Sequence, residues 1–464
     1  MNAAAVVPHT PLTARQRLLA IGLVLGVTLV AFEVTAIVTA MPTISDELHG
    51  DSLFGVASAV YTLANMVALV AAGELADRRG PVMPFVLSIG TFVAGLLLAA
   101  WAPTMVWVVI GRTLQGVGTG GLGPIAYILV VRAFPVDRRP MMYATLSAGW
   151  VLPSLFAPLI SGWIVDTFGW RWVFLAIIPF AIAVGVLAVQ PMRAYGAVEG
   201  DRAPTRIPYA VAAAAGVGAL VTGLQFANIA ALMVTVGAGG ALGYWALRRL
   251  LPTGVLTAAT GLPAILSVRV IATATFLGVD SFVPLAADRI HGVRPLVQGF
   301  VIIGAALSWT AGQWYRAKRP GVDPAKAVRT GFVVLALGIA LVTPVLWPWW
   351  PLWAAFAAWC VGGLGMGLLF NPTTVASTTY AEDGREGELS SQVNLSDALG
   401  FSLMGGIGGA TVAIAGRTSL TIQGALGINF ALALALAAVG LVAAGRVRAN
   451  RDGAHTGVSA TTPP

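Results

Sequence analysis

The 464-residue chain holds one cysteine, Cys360, and four histidines, His9, His49, His291 and His455. A lone cysteine within an apolar run excludes a disulfide framework and a cysteine metal site, and four scattered histidines supply no zinc set. Charge is scarce as well. Asp, Glu, Lys and Arg make up 10% of the residues against 57% hydrophobic ones, and the mean hydropathy is +0.84. No soluble chain of this length would tolerate so apolar a surface. The phosphate-cradling pattern G-x-x-x-x-G-K followed by Ser or Thr is absent, so nothing points to ATP as the driving force. Nor does any nucleophile–base pairing point to catalysis. The sequence reads as a non-enzyme without cofactor or metal.

What the chain has in quantity is glycine and proline, 55 and 27 residues. Inside apolar runs these indicate closely packed, bendable membrane helices. A span needs about 20 predominantly apolar residues. Residues 17–41, 54–73, 82–101, 105–131, 142–165 and 171–191 give a first set of six. Residues 262–287, 296–315, 328–346, 352–375, 395–416 and 422–445 give a second. Between them, Ile207–Leu247 runs for 41 residues without an Asp, Glu, Lys or Arg. At about 1.5 Å per residue this is roughly 60 Å of helix, twice a 30 Å bilayer core. It is expected to fold as two spans turning near Gln225-Phe226-Ala227-Asn228, for a total of fourteen. The alternative is twelve spans plus a hairpin lying in the interface. The expected fold is therefore all-α and polytopic. Its segments are a tail (1–16), a six-helix bundle (17–192), a linker with two further spans (193–261), a second six-helix bundle (262–446) and a tail (447–464).

The net charge of +8 would fit a polyanionic partner, but its placement argues otherwise. With a cytoplasmic N-terminus, 22 of the 27 Lys and Arg fall on or near one side. That set includes Arg269, assigned to the inner turns of its helix. Only Arg171, Arg289, Arg294 and Arg417 land outside, and Arg112 lies within a span. This is the positive-inside asymmetry, and it places both termini in the cytoplasm with no nucleic-acid partner implied. No small-residue cleavage pattern follows the first apolar run, which is expected to be retained as the first helix. The two sets of six also carry a trace of duplication, since Pro42, His49 and Gly50 recur as Pro284, His291 and Gly292 at a constant offset of 242.

Between the second and third spans stands Gly73-Glu74-Leu75-Ala76-Asp77-Arg78-Arg79-Gly80, read here as a short loop. Asp77 can accept backbone N–H groups at a neighbouring helix end, and Arg78 and Arg79 can pair with acids across the same face. Such contacts can hold one conformation closed and break in another. The plain alternative is a merely basic loop. The spelling G-x-L-A-D-R-x-G resembles the signature loop of the major facilitator superfamily of secondary transporters. Pro81 and Val82 stand where that pattern has two more basic residues. The corresponding loop of the second half, Gly312–Pro320, has lost its acid.

Further motifs carry the same resemblance. Arg112-Thr113-Leu114-Gln115-Gly116-Val117-Gly118 is close to the R-x-x-Q-G-x-G pattern of proton-linked members. An arginine inside a span costs about 2.5–3.5 kcal/mol on insertion scales and needs a partner, unless it snorkels to the interface. Gly116, Gly118, Gly120, Gly121 and Gly123 are expected to let a neighbouring helix approach closely. Gly149, Pro153, Pro158 and Gly162 resemble the helix-five motif of antiporters, with Ala157 and Ser161 replacing two of its glycines. Asp166, Gly169–Phe174 and Pro179 extend the resemblance to the fourteen-helix drug:proton antiporters. Trp170 and Trp172 suit an outer aromatic belt.

Glu33, Asp280 and Asp397 are acids in or at the ends of spans. The stretch around Glu33 resembles the helix-one motif of that family, with Glu in place of its Asp. A carboxylate in a span can carry a proton, which an approaching cation or Arg112 would push off, or it can serve a structural role. Asp397 can equally cap its helix. Tyr61, Asn65, Tyr127, Trp150, Trp309, Asn371 and Asn394 are candidates for a central cavity or for helix packing. The resemblance implies a monomeric, proton-driven exporter of hydrophobic or amphipathic small molecules in the inner membrane, working by alternating access. An uptake symporter and a receptor on the same scaffold are the competing readings.

Overall fold

The structure is a computed structural model, and it describes residues 10–197, 204–224, 229–293, 295–319, 321–415 and 418–448. The expected turn at Gln225–Asn228 and the side assignments of Arg202, Arg294, Arg417 and Arg451 lie outside the described residues, as does Pro320.

The described chain is helical throughout. In order the helices are α1 (Ala14–Glu47), α2 (Asp51–Arg79), α3 (Val82–Ala100), α4 (Met105–Ala133), α5 (Arg139–Ala148), α6 (Val151–Phe168), α7 (Arg171–Met192), α8 (Ile207–Gly223), α9 (Ile229–Leu250), α10 (Leu262–Asp280), α11 (Val283–Arg289), α12 (Pro295–Ala317), α13 (Pro324–Val342), α14 (Leu352–Thr378), α15 (Glu386–Ala415) and α16 (Ile422–Ala444). Two pairs are single passages broken in the middle. Pro153 removes an N–H and its ring presses on the carbonyl four residues back, at Gly149, so α5 stops and α6 begins there. Pro284 does the same to the carbonyl of Asp280 and separates α10 from α11.

With each broken pair counted once, the described residues form fourteen helical segments. Twelve of these are long and apolar enough to cross a membrane; α8 is apolar but has 17 residues, and α12 is the other passage outside the twelve. Helix starts follow local chemistry. Thr13 and Gln16 form a reciprocal capping box on α1, and Asp323 caps α13 ahead of Pro324. Thr421 accepts the N–H of Gly424 to open α16.

One buried apolar cluster joins α1 to α7 and another joins α10 to α16. A third is built from α8 and α9 against Met66 and Val70 of α2 and Leu395 and Leu399 of α15. In α4, Gly116 and Gly120 face the α2 backbone while Gly118 and Gly121 face α3, positions where a side chain would collide.

Candidate functional site

The segment Gly73–Gly80 is not a loop. Helix α2 continues through Arg79, and only Gly80, at φ +81°, breaks it. Pro81 then stands at the N-cap of α3, with no side-chain cap. Asp77 reaches across to the first turn of α15. Its two carboxylate oxygens accept the N–H of Gly387 at 2.7 Å and of Glu388 at 3.0 Å, the favourable end of the α15 dipole. Arg132, from the end of α4, donates to Glu386 at 2.7 Å and to Asp77 at 3.4 Å. For Arg79 the expected pairing across this face is corrected. Arg78 meets Glu74 one turn back at 2.7 Å, and Arg79 touches the Met83 sulfur at 3.4 Å. Arg132 makes the cross-pairing because it stands opposite α15, whereas Arg79 turns along the strip between α2 and α3. Gly73 sits so close to α15 that a Cβ would collide with Ser391 Oγ and the Gly387 carbonyl.

The equivalent contact of the other seam uses no charge. Gln313 donates to Ser147 at 2.5 Å, and Asn371 donates to the Pro140 carbonyl at 2.9 Å. Together these bonds join the two halves on one face, the basic face.

Above them lies a cavity of about 550 Å³. Asn65, Tyr127, Trp150, Trp309 and Asn394 line it, together with Phe276, Phe370, Tyr143, Asp280 and Asp397. Two candidates for this wall point elsewhere. Tyr61 donates to Glu33, and Asn371 is drawn to the Pro140 carbonyl. Asp280 ends α10 at the break and accepts the indole N–H of Trp359 at 2.8 Å. Trp359 stacks on Phe276, and Phe276 meets Trp309 edge-on at 5.0 Å. Among the described residues, the Trp309 indole N–H and the Tyr143 hydroxyl have no hydrogen-bond partner.

The other two acids are neutralised in place. Glu33 is fully buried, pairs with Arg112 and accepts from Tyr61 at 3.2 Å; Arg112 also donates to Gln115 at 2.7 Å and lies 4.0 Å over the Tyr61 ring. Glu33 does not line the cavity. Asp397 receives Arg269 through Nε at 3.1 Å and also through Nη2, while Arg269 Nη1 donates to Thr374 at 2.6 Å. Arg269, in the first turns of α10, is completely buried, because Asp397 and the Phe370 face beneath its guanidinium hold it inside the bundle.

In the helix-five motif, Ser161 donates to the Ala36 carbonyl at 2.7 Å, and Ala157 is buried beside it. The two substituted positions thus face α1, whereas Gly162 faces open space. Gly149 packs on Thr28 and Val27 of α1. Trp170 is corrected from belt to interior. It is 1% exposed and donates to Glu47, which also receives Arg171. Trp172, 54% exposed, keeps a surface position.

The family description of the Major Facilitator Superfamily matches residues 23–317, well over half of the chain. The chain belongs to the major facilitator superfamily. It is a multi-pass membrane protein of that superfamily. Multidrug resistance protein 3 of Bacillus subtilis is 32% identical over 170 residues, covering 36% of this chain and 33% of that protein. This transporter thus matches about a third of the length of such relatives. A probable multidrug-efflux transporter of Mycobacterium tuberculosis is 25% identical over 438 residues, covering 90% and 92% of the two chains. The fold is shared with the human organic anion transporter MFSD10, at a TM-score of 0.71 and 13% identity, over 93% of this chain and all of that one.

Proposed function

We propose that this transporter exports hydrophobic and amphipathic small molecules across the inner membrane by proton-coupled alternating access, with both termini in the cytoplasm. One observation carries the reading. Asp280 lies at a helix break in an aromatic-walled cavity, and among the described residues no Lys or Arg pairs with it. Glu33 and Asp397 each have an arginine already. An acid without a counter-charge in an apolar site must hold either a proton or a cation. Competition between the two is what exchange requires.

The basic face is then the cytoplasmic side, closed in this arrangement, and protons reaching Asp280 from outside displace the bound molecule. The membrane potential adds about 2.3 kcal/mol per elementary charge per 100 mV. The unpartnered donors of Trp309 and Tyr143 orient polar groups of the cargo. The multidrug names of the relatives support a broad apolar cargo. In the same reading α8 and α9 cross the membrane as a hairpin, for fourteen spans. Its support is the apolar packing of both helices along α2 and α15.

Inside-out vesicles with an acidified lumen test the reading with tetraphenylphosphonium as cargo. Wild-type protein should accumulate the cation, and Asp280→Asn should abolish accumulation. Accumulation only under the reverse gradient would mean uptake, and undiminished transport by Asp280→Asn would remove Asp280 as the coupling acid.

A further inference from the structure

The helices between the two halves are not a passive insert. Glu74, three residues before Asp77 on α2, accepts the backbone N–H of Arg206 at 2.9 Å and the Thr205 hydroxyl at 3.2 Å. The guanidinium of the same Arg206 continues to Glu388 of α15 at 2.7 Å. Glu388 is the residue whose backbone N–H binds Asp77. At the far end of the hairpin, the Leu250 carbonyl accepts from Gln392, whose amide also reaches Glu388. Both basic-face ends of the α8–α9 hairpin are therefore bonded to one turn of α15, and its entry is bonded to α2 as well. Deeper in, Leu63 of α2 meets Gly218, and Val221 meets Gly406 of α15. The hairpin lies along the seam that must open if α2 and α15 part.

We propose that Glu74 and Arg206 are positioning residues of the basic-face gate, through which the α8–α9 hairpin holds α2 and α15 together in the closed state. The inference rests on the alternating-access reading above. Arg206 carries the bridge because its backbone serves the first half and its side chain the second. A residue bonded to both sides of a seam favours the state in which both partners are within reach. The pair is partly screened, with side-chain exposures of 23% for Arg206 and 17% for Glu388, so the bias is modest.

The test uses full-length purified protein with Cys360→Ser and a reporter Ser391→Cys, a position that is 4% exposed beneath the closed gate. Labelling by a polar maleimide should be about three times faster or more in Arg206→Gln, in keeping with the worth of a partly exposed ion pair. Arg206→Lys should restore slow labelling. Asp77→Asn serves as the gate's own control, and a second reporter, Ser161→Cys, monitors general loosening because it is buried away from the seam. If Asp77→Asn speeds labelling and Arg206→Gln does not, the hairpin has no part in the gate. Equal acceleration at Ser161→Cys also overturns the proposal. If neither Asp77→Asn nor Arg206→Gln changes the rate, the gate reading itself fails and the inference falls with it.

Discussion

Pro284 stands one helical turn beyond Asp280, and α10 ends between them. The proline thus places the acid at an interrupted helix end facing the cavity instead of inside a continuous wall. Interior prolines cost a helix about 3 kcal/mol. Pro284→Ala should let the passage run straight, raise the thermal unfolding midpoint and slow transport by roughly tenfold, as small misplacements of a functional group can. Parallel unfolding and transport assays check both signs, and a faster or unchanged transporter would show that the break is incidental.

Asp77 supplies a second prediction. Asp77→Asn keeps one acceptor but loses the charge facing the start of α15 and Arg132. A charge-assisted contact of this kind contributes about 1–2 kcal/mol. Opening of the basic face should shift by roughly five- to thirtyfold, with slower turnover and nearly unchanged tetraphenylphosphonium affinity. A pure loss of affinity would contradict the gate role. Gly73→Ala should open the same face by sterics alone, since its methyl group has no room against Ser391.

Much of this was legible along the chain. Local pattern gave the apolar passages, the acid at Asp77 and the arginine at Arg112, because span length, proline and an unmatched membrane charge each leave a signature within a few residues. The pairings did not. Arg132 and Glu386 are 254 positions apart, and Arg269 and Asp397 are 128 apart. No periodicity links them, and Arg269 sits close enough to a helix start to resemble an interfacial charge. The helical state of Gly73–Arg79 was hidden for a related reason. Charged residues interrupt hydropathy, yet they extend a helix readily when neighbouring helices take up their charges.

The pair Glu33 and Arg112 gives a third prediction, one that separates a structural acid from a working one. Both are buried and Arg112 has few other acceptors. Glu33→Gln should cost about 3–5 kcal/mol of stability by leaving a buried charge uncompensated. The double variant Glu33→Gln, Arg112→Gln should recover most of it. Thermal unfolding in detergent measures both, and a double variant no better than the single would mean that the two residues act independently.

Binding itself should move protons if Asp280 exchanges one for a cation. The direct measurement is proton release from purified transporter in weak buffer on addition of tetraphenylphosphonium. The account predicts close to one proton released per cation bound by wild-type protein and none by Asp280→Asn. Release that persists in Asp280→Asn, or cation binding with no release at all, would contradict it.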